Sequence, residues 1–148
     1  IINIASIGGF IGTFPGFGTY FATKFAVVGL TEALSAEAKE FNVKATVVYP
    51  GYFRTNFLDK SSIKLPQNPI DNYASARKSE QLHINEINGN QLGDPNKAAV
   101  VFIELAESEN PPLHLFMGSD ALGLAHTKIE VLQNEISANE TLSKSTDF

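Results

Sequence analysis

The chain has 148 residues, a length that fits one domain with a sizeable core. Its apolar share is 43%, its charged share 18%, and its net charge of −5 comes from interspersed charges, so no basic stripe points to nucleic acid. The absence of cysteine excludes a disulfide framework and a thiolate metal site, and no apolar run approaches the length of a membrane span.

Ile1 to Ala5 reads as a strand covered on both faces. The sequence opens on Ile1 rather than Met and shows neither the basic flank nor the cleavage site of a signal peptide, so the expectation is a start partway through a longer, cytoplasmic protein. Residues 6 to 18 hold five glycines and a proline and are expected to form a loop. The Gly16-x-Gly18 pair imitates a dinucleotide fingerprint, but Phe21 stands where the third glycine belongs, so it reads as a loop feeding a helix.

From about Thr19 to Phe41 the spacing predicts a helix. Ala22, Ala26, Gly29, Ala33 and Ala36 recur at three and four and are expected to lie close on a sheet. Asn42 suits the left-handed conformation that ends a helix. Val43 to Tyr49 is a second strand ending at Pro50-Gly51, which completes a parallel βαβ unit. Residues 52 to 70 read as irregular and 71 to 92 as weakly helical, a mobile flap. Asp94-Pro95 starts a helix through Ala98, Val101, Phe102 and Leu105. A strand over Leu113–Met117 follows, then a helix opened by Gly118-Ser119 that runs to about Ala138 before a frayed polar tail. His83, His114 and His126 are far apart and read as satisfied surface or core histidines.

Ser6, Tyr20 with Lys24, and Pro50-Gly51 all fall at or just beyond the carboxyl ends of predicted parallel strands, where open α/β sheets bind ligands. Tyr20 and Lys24 are four apart on a helix, so they share a face at roughly 5–6 Å between Cβ atoms. A phenol with an ordinary pKa of about 10 is a poor base at neutral pH. A neighbouring ammonium is expected to lower it by roughly 1–3 units, so that Tyr20 exchanges a proton with an alcohol or carbonyl while Ser6 donates a hydrogen bond to the substrate oxygen. Phe10, Phe14 and Phe17 read equally well as packing or as an apolar pocket wall.

Asn3-Ile4-Ala5-Ser6-Ile7-Gly8-Gly9, Tyr20-Phe21-Ala22-Thr23-Lys24-Phe25-Ala26 and Tyr49-Pro50-Gly51-Tyr52-Phe53-Arg54-Thr55 together resemble the core of the short-chain dehydrogenase/reductase family, tightly over residues 1 to 58 and loosely beyond. The resemblance implies the C-terminal half of a Rossmann-like, doubly wound α/β sheet, with residues 1–148 forming a partial dinucleotide-binding domain and residues 59–92 a substrate lid within it. It implies an oxidoreductase interconverting an alcohol and a carbonyl with NAD or NADP. Ser6, Tyr20 and Lys24 would be catalytic, and Tyr20, Lys24, Pro50, Gly51, Phe53 and Thr55 would touch the cofactor. Phe57, Leu58 and the lid would favour a hydrophobic small molecule. A homo-oligomer packed through the Tyr20 helix and the helix near residue 100 is expected of the full-length protein, and the fragment is expected to be inactive alone. The alternatives are a nucleotide-sugar epimerase or dehydratase, and a non-catalytic dinucleotide sensor of the same fold.

Overall fold

The computed structural model describes residues 1–59 and 61–148. Three strands, β1 (Ile2–Ile4), β2 (Thr46–Pro50) and β3 (His114–Met117), form a parallel sheet in the order β1-β2-β3. Asn3 lies opposite Val47 and Val48 opposite Leu115. The expected βαβ unit is therefore present, with trimmed ends. β2 begins at Thr46 rather than Val43, because Asn42 takes a left-handed φ of 55° and the Val43 amide turns back to donate to the Ala38 carbonyl.

Helix α1 (Gly18–Glu37) connects β1 to β2 and tightens into a 3-10 turn over Ala38–Phe41. It buries Phe21, Val28 and Thr31. The small-residue stripe behaves differently from expectation: Ala22, Ala26, Gly29, Ala33 and Ala36 are all exposed. A spacing of three and four marks a stripe but not which way it faces, and here the larger side chains supply the apolar area that burial rewards.

Strand alternation divides the core. Val47, Tyr49 and Phe116 pack with Val27, Val28 and Phe10 on the α1 side. Helix α4 (Ser119–Ala138) joins that side through Ala121 and Ala125, which meet Ile7, Ile11 and Phe116. Val48, Leu115 and Met117 face the other way, against Val101, Phe102 and Leu105 of helix α3 (Pro95–Glu107). The sheet thus carries helices on both faces, the doubly wound arrangement. With the strands stepping in one direction, helices on opposite faces require crossovers of opposite hand, so one of the two has the uncommon left hand. The connection from β2 to β3 is long, and it carries the site's outer wall.

That connection starts with a 3-10 turn (Asn56–Leu58) and continues to helix α2 (Ala74–Leu82), which widens into a π turn over His83–Ile87. Asp94 caps α3 as expected, its Oδ1 accepting from the Asn96 amide at 2.8 Å. The tail beyond Ala138 is not wholly frayed: Glu140–Lys144 forms a further helical turn, α5, tied by a 2.6 Å Lys144–Glu140 pair. Among the described residues no helix is long and apolar enough to cross a membrane, and no cluster of three or more His, Asp or Glu is placed to hold a metal ion.

Candidate active site

Ser6 leaves the end of β1 as an extended N-cap, and its Oγ accepts from the Gly8 amide at 3.1 Å. That bond uses an oxygen lone pair and leaves the hydroxyl proton free to donate. The loop expected over residues 6–18 therefore begins with a 3-10 turn, Ile7–Gly9. The two glycines in it do more than turn the chain. A Cβ on Gly8 would stand 2.8 Å from the Phe21 ring and 3.1 Å from the Tyr20 ring, and one on Gly9 would stand 2.9 Å from the Lys24 carbonyl oxygen. Their bareness lets α1 settle onto the turn and brings Tyr20 beside Ser6.

Tyr20 packs between Phe17 and Phe57, with ring centroids 6.5 and 6.1 Å away. Burial pushes its phenol above the usual tyrosine range, while the neighbouring Ser6 hydroxyl, able to donate to the phenol oxygen, pulls it down. Lys24 is half-buried on the same face, its Nζ 5.9 Å from the Tyr20 ring centroid and donating to the Ile4 carbonyl at 3.3 Å. The expected acidification of Tyr20 by Lys24 is thus not the state of this chain. Burial is the largest influence on the phenol, and Lys24 gives one N–H to the strand end at Ile4.

The Pro50-Gly51 turn faces this group across a cavity of about 490 Å³, within the ordinary range for small-molecule sites. Ser6, Tyr20, Lys24, Pro50, Gly51, Phe53 and Thr55, every candidate residue, line it together. Asp120, in the first turn of α4, anchors the turn by accepting from the Tyr52 amide at 2.7 Å, and a Cβ on Gly51 would collide with its carboxylate. Thr55 Oγ1 accepts from the Phe57 amide at 3.3 Å and so caps the next turn. The phenylalanines divide between the two roles: Phe14 and Phe17 line the cavity, whereas Phe10 packs edge-on against Tyr49 and Phe116 in the core. Phe57 and Leu58 line this cavity and also an adjoining one of about 510 Å³ that reaches Ile63 and Leu65.

Three wall residues are not singled out as site residues by the sequence. Tyr52 and His83 are joined through Tyr52 Oη and His83 Nε2 at 2.7 Å. Gln91 is 3% exposed, and its Oε1 has no partner among the described residues. None belongs to a local pattern, since Tyr52 and His83 are 31 positions apart.

Comparison with known proteins agrees with this geometry. Residues 1–65 match the family model described as short chain dehydrogenase. A 3-ketodihydrosphingosine reductase of Bacteroides thetaiotaomicron is 37% identical over 80% of this chain and 43% of its own length. Oxidoreductase BOA17 of Botryotinia fuckeliana is 32% identical over 89% of this chain and 47% of its own. A crystal structure of a short-chain dehydrogenase from Streptomyces avermitilis superposes with a TM-score of 0.83 at 34% identity, covering 99% of this chain and 52% of that one. The chain spans about half the length of the relatives it matches. With its parallel sheet and the residues gathered at the strand ends, the chain is similar to the short-chain dehydrogenases, by family model over residues 1–65 and in fold over nearly all of its length.

Proposed function

We propose that the protein containing this chain is an NAD- or NADP-dependent oxidoreductase that interconverts an alcohol and a carbonyl. The observation that carries the reading is the gathering of Ser6, Tyr20 and Lys24 with the Pro50-Gly51 turn around one cavity. Tyr20 is the acid/base. Burial keeps its phenol protonated, which suits donation to a carbonyl oxygen as negative charge builds there. Ser6 donates its free hydroxyl proton to the same oxygen. Lys24 has two further N–H donors beyond the one given to Ile4, and these serve a ribose hydroxyl.

The residues present fit a nicotinamide. The Pro50-Gly51 turn and Phe53 give the cavity an apolar lining for its ring, and Thr55 Oγ1, which accepts from the Phe57 amide, keeps its own proton to offer a carboxamide oxygen. When bound, the nicotinamide supplies or accepts the hydride, and the chain contributes position and proton transfer. The segment 59–92, apart from Lys60, which lies outside the described residues, acts as the substrate lid through Phe57, Leu58 and the adjoining cavity. Exposed Phe25 and Leu30 on α1 and Val100 and Ile103 on α3 suit the two helices for packing against a second copy in the full-length protein.

The test is NADH or NADPH consumption by the full-length protein with medium-chain ketones, run beside Lys24→Met. Turnover by the unaltered protein, with weaker dinucleotide binding in the variant, is the expected result. Failure of the unaltered protein to bind either dinucleotide contradicts the reading.

A further inference from the structure

His83 is 3% exposed and sits against the rings of Phe17 and Phe14, with centroids 4.5 and 5.8 Å away. Its Nδ1 is 2.6 Å from the Ser79 carbonyl oxygen. A carbonyl only accepts, so Nδ1 carries the proton. With the ring neutral, Nε2 is then an acceptor, and the Tyr52 hydroxyl 2.7 Å away must donate to it. The single proton of Tyr52 is thereby committed. The Tyr52 hydroxyl makes no other hydrogen bond among the described residues, so what its oxygen has left to offer is lone pairs. Tyr52 and His83 both line the main cavity, and Tyr52 is close enough to Tyr20 for charge on one phenol to oppose ionisation of the other.

We infer that the Ser79–His83–Tyr52 relay makes Tyr52 Oη an obligate hydrogen-bond acceptor in the substrate pocket, selecting carbonyl substrates that carry a hydroxyl or amino donor a few bonds from the reacting carbon. The inference rests on the oxidoreductase reading and deepens it by naming a substrate class. The relay sets polarity as well as position. A tyrosine without His83 would offer a donor too and would serve an ether or carbonyl oxygen equally well.

The test compares matched ketones on the full-length protein with saturating NAD⁺ or NADP⁺, whichever it binds: 1-hydroxy-2-octanone and 4-hydroxy-2-octanone against their methyl ethers, with dissociation constants from ligand-observed NMR titration. One of the two hydroxyketones should bind about three- to tenfold tighter than its ether, the range of one net hydrogen bond. Tyr52→Phe should bring that ratio to within about twofold. His83→Leu should do the same by a different route, since the freed Tyr52 proton can then serve the ether oxygen. A purely structural histidine would lower affinity for both members of a pair and leave the ratio intact. Equal binding of each pair by the unaltered protein, no saturable binding of either hydroxyketone, or a ratio that survives Tyr52→Phe overturns the inference. Because the readout is binding, its failure is separable from failure of the redox reading, which shows as absence of dinucleotide-dependent turnover with all four ketones.

Discussion

Residues 1–58 and residues 61–92 bury different things. In the first region the interior is mostly apolar: Ile7, Ile11, Phe21, Val28, Val47, Val48 and Leu58 are all buried, with Thr31 and Thr46 as polar exceptions. In the second, four residues are buried, and three of them are Glu80, His83 and Gln91. The first region is shaped by its own sheet and helix and would look much the same around any ligand. The second lines the cavity, and two of its bonds reach across to the first: His83 Nε2 accepts from the Tyr52 hydroxyl, and the Gln91 main-chain carbonyl accepts from Arg54 at 3.0 Å. Glu80 pairs with Arg77 beside it, and Gln91 Oε1 has no partner among the described residues. The first region is held by buried area, whereas the second, the proposed lid, leans on a few directional bonds.

The sharpest way to break this comparison is alkaline titration. Tyr49, 1% exposed at the centre of the sheet, has its phenol pushed up to about 12 by burial and then by the charge of Glu32. A phenol raised in the folded state contributes stability that is complete below pH 10 and lost as pH rises through 12, about 3 kcal/mol for those two units. Tyr52, also raised to about 12 by burial and by Asp120, adds in the same direction. Denaturant midpoints of the full-length protein should therefore fall between pH 10 and 12, and Tyr49→Phe should flatten much of the slope. A slope unchanged by that substitution would remove Tyr49 from the account.

Next in size is Gly9→Ala, which sets a methyl 2.9 Å from the backbone carbonyl of Lys24. Overpacking of this kind costs about 1–3 kcal/mol, and because a main chain cannot swing aside, the helix carrying Tyr20 must lift. Thermal melts should show the loss, and dinucleotide binding should weaken with it. Smaller again is Asp94→Ala, which deletes the cap of α3 and should cost about 1 kcal/mol without touching the cavity chemistry. The least costly probe is amide exchange. Residues 61–73 are nearly all exposed and should exchange far faster than Val47 and Val48. Slow exchange there would mean that the segment is held by more than the bonds described.

Legibility in the sequence follows the same division. Ser6, Tyr20, Lys24 and the Pro50-Gly51 turn were readable because each is tied to the end of an element that local pattern defines. Asp94-Pro95 announced α3 for the same reason. The exposed face of α1 was misassigned because Ala22, Ala26 and Ala33 obey the same spacing whichever way they point. Tyr52, Asp120 and Gln91 carry no pattern that marks them as site residues, and His83 reads only as a satisfied surface or core histidine, which its buried ring with both nitrogens bonded is. Their partners come from distant parts of the chain: Asp120 grips an amide 68 positions earlier. A buried histidine inside a polar stretch also contradicts the hydrophobic pattern on which burial is read. The electrostatics of Tyr20 were likewise out of reach, since spacing set Lys24 nearby but not whether its ammonium would favour the phenol or the Ile4 carbonyl.

Removal of one oxygen atom probes the whole account. Tyr20→Phe in the full-length protein should lower kcat/KM for ketone reduction by about 10²- to 10⁴-fold, the usual worth of a positioned proton donor, while dinucleotide affinity stays within about threefold, a shift no larger than one hydrogen bond. Reduction within threefold of the unaltered rate would mean that the proton comes from elsewhere.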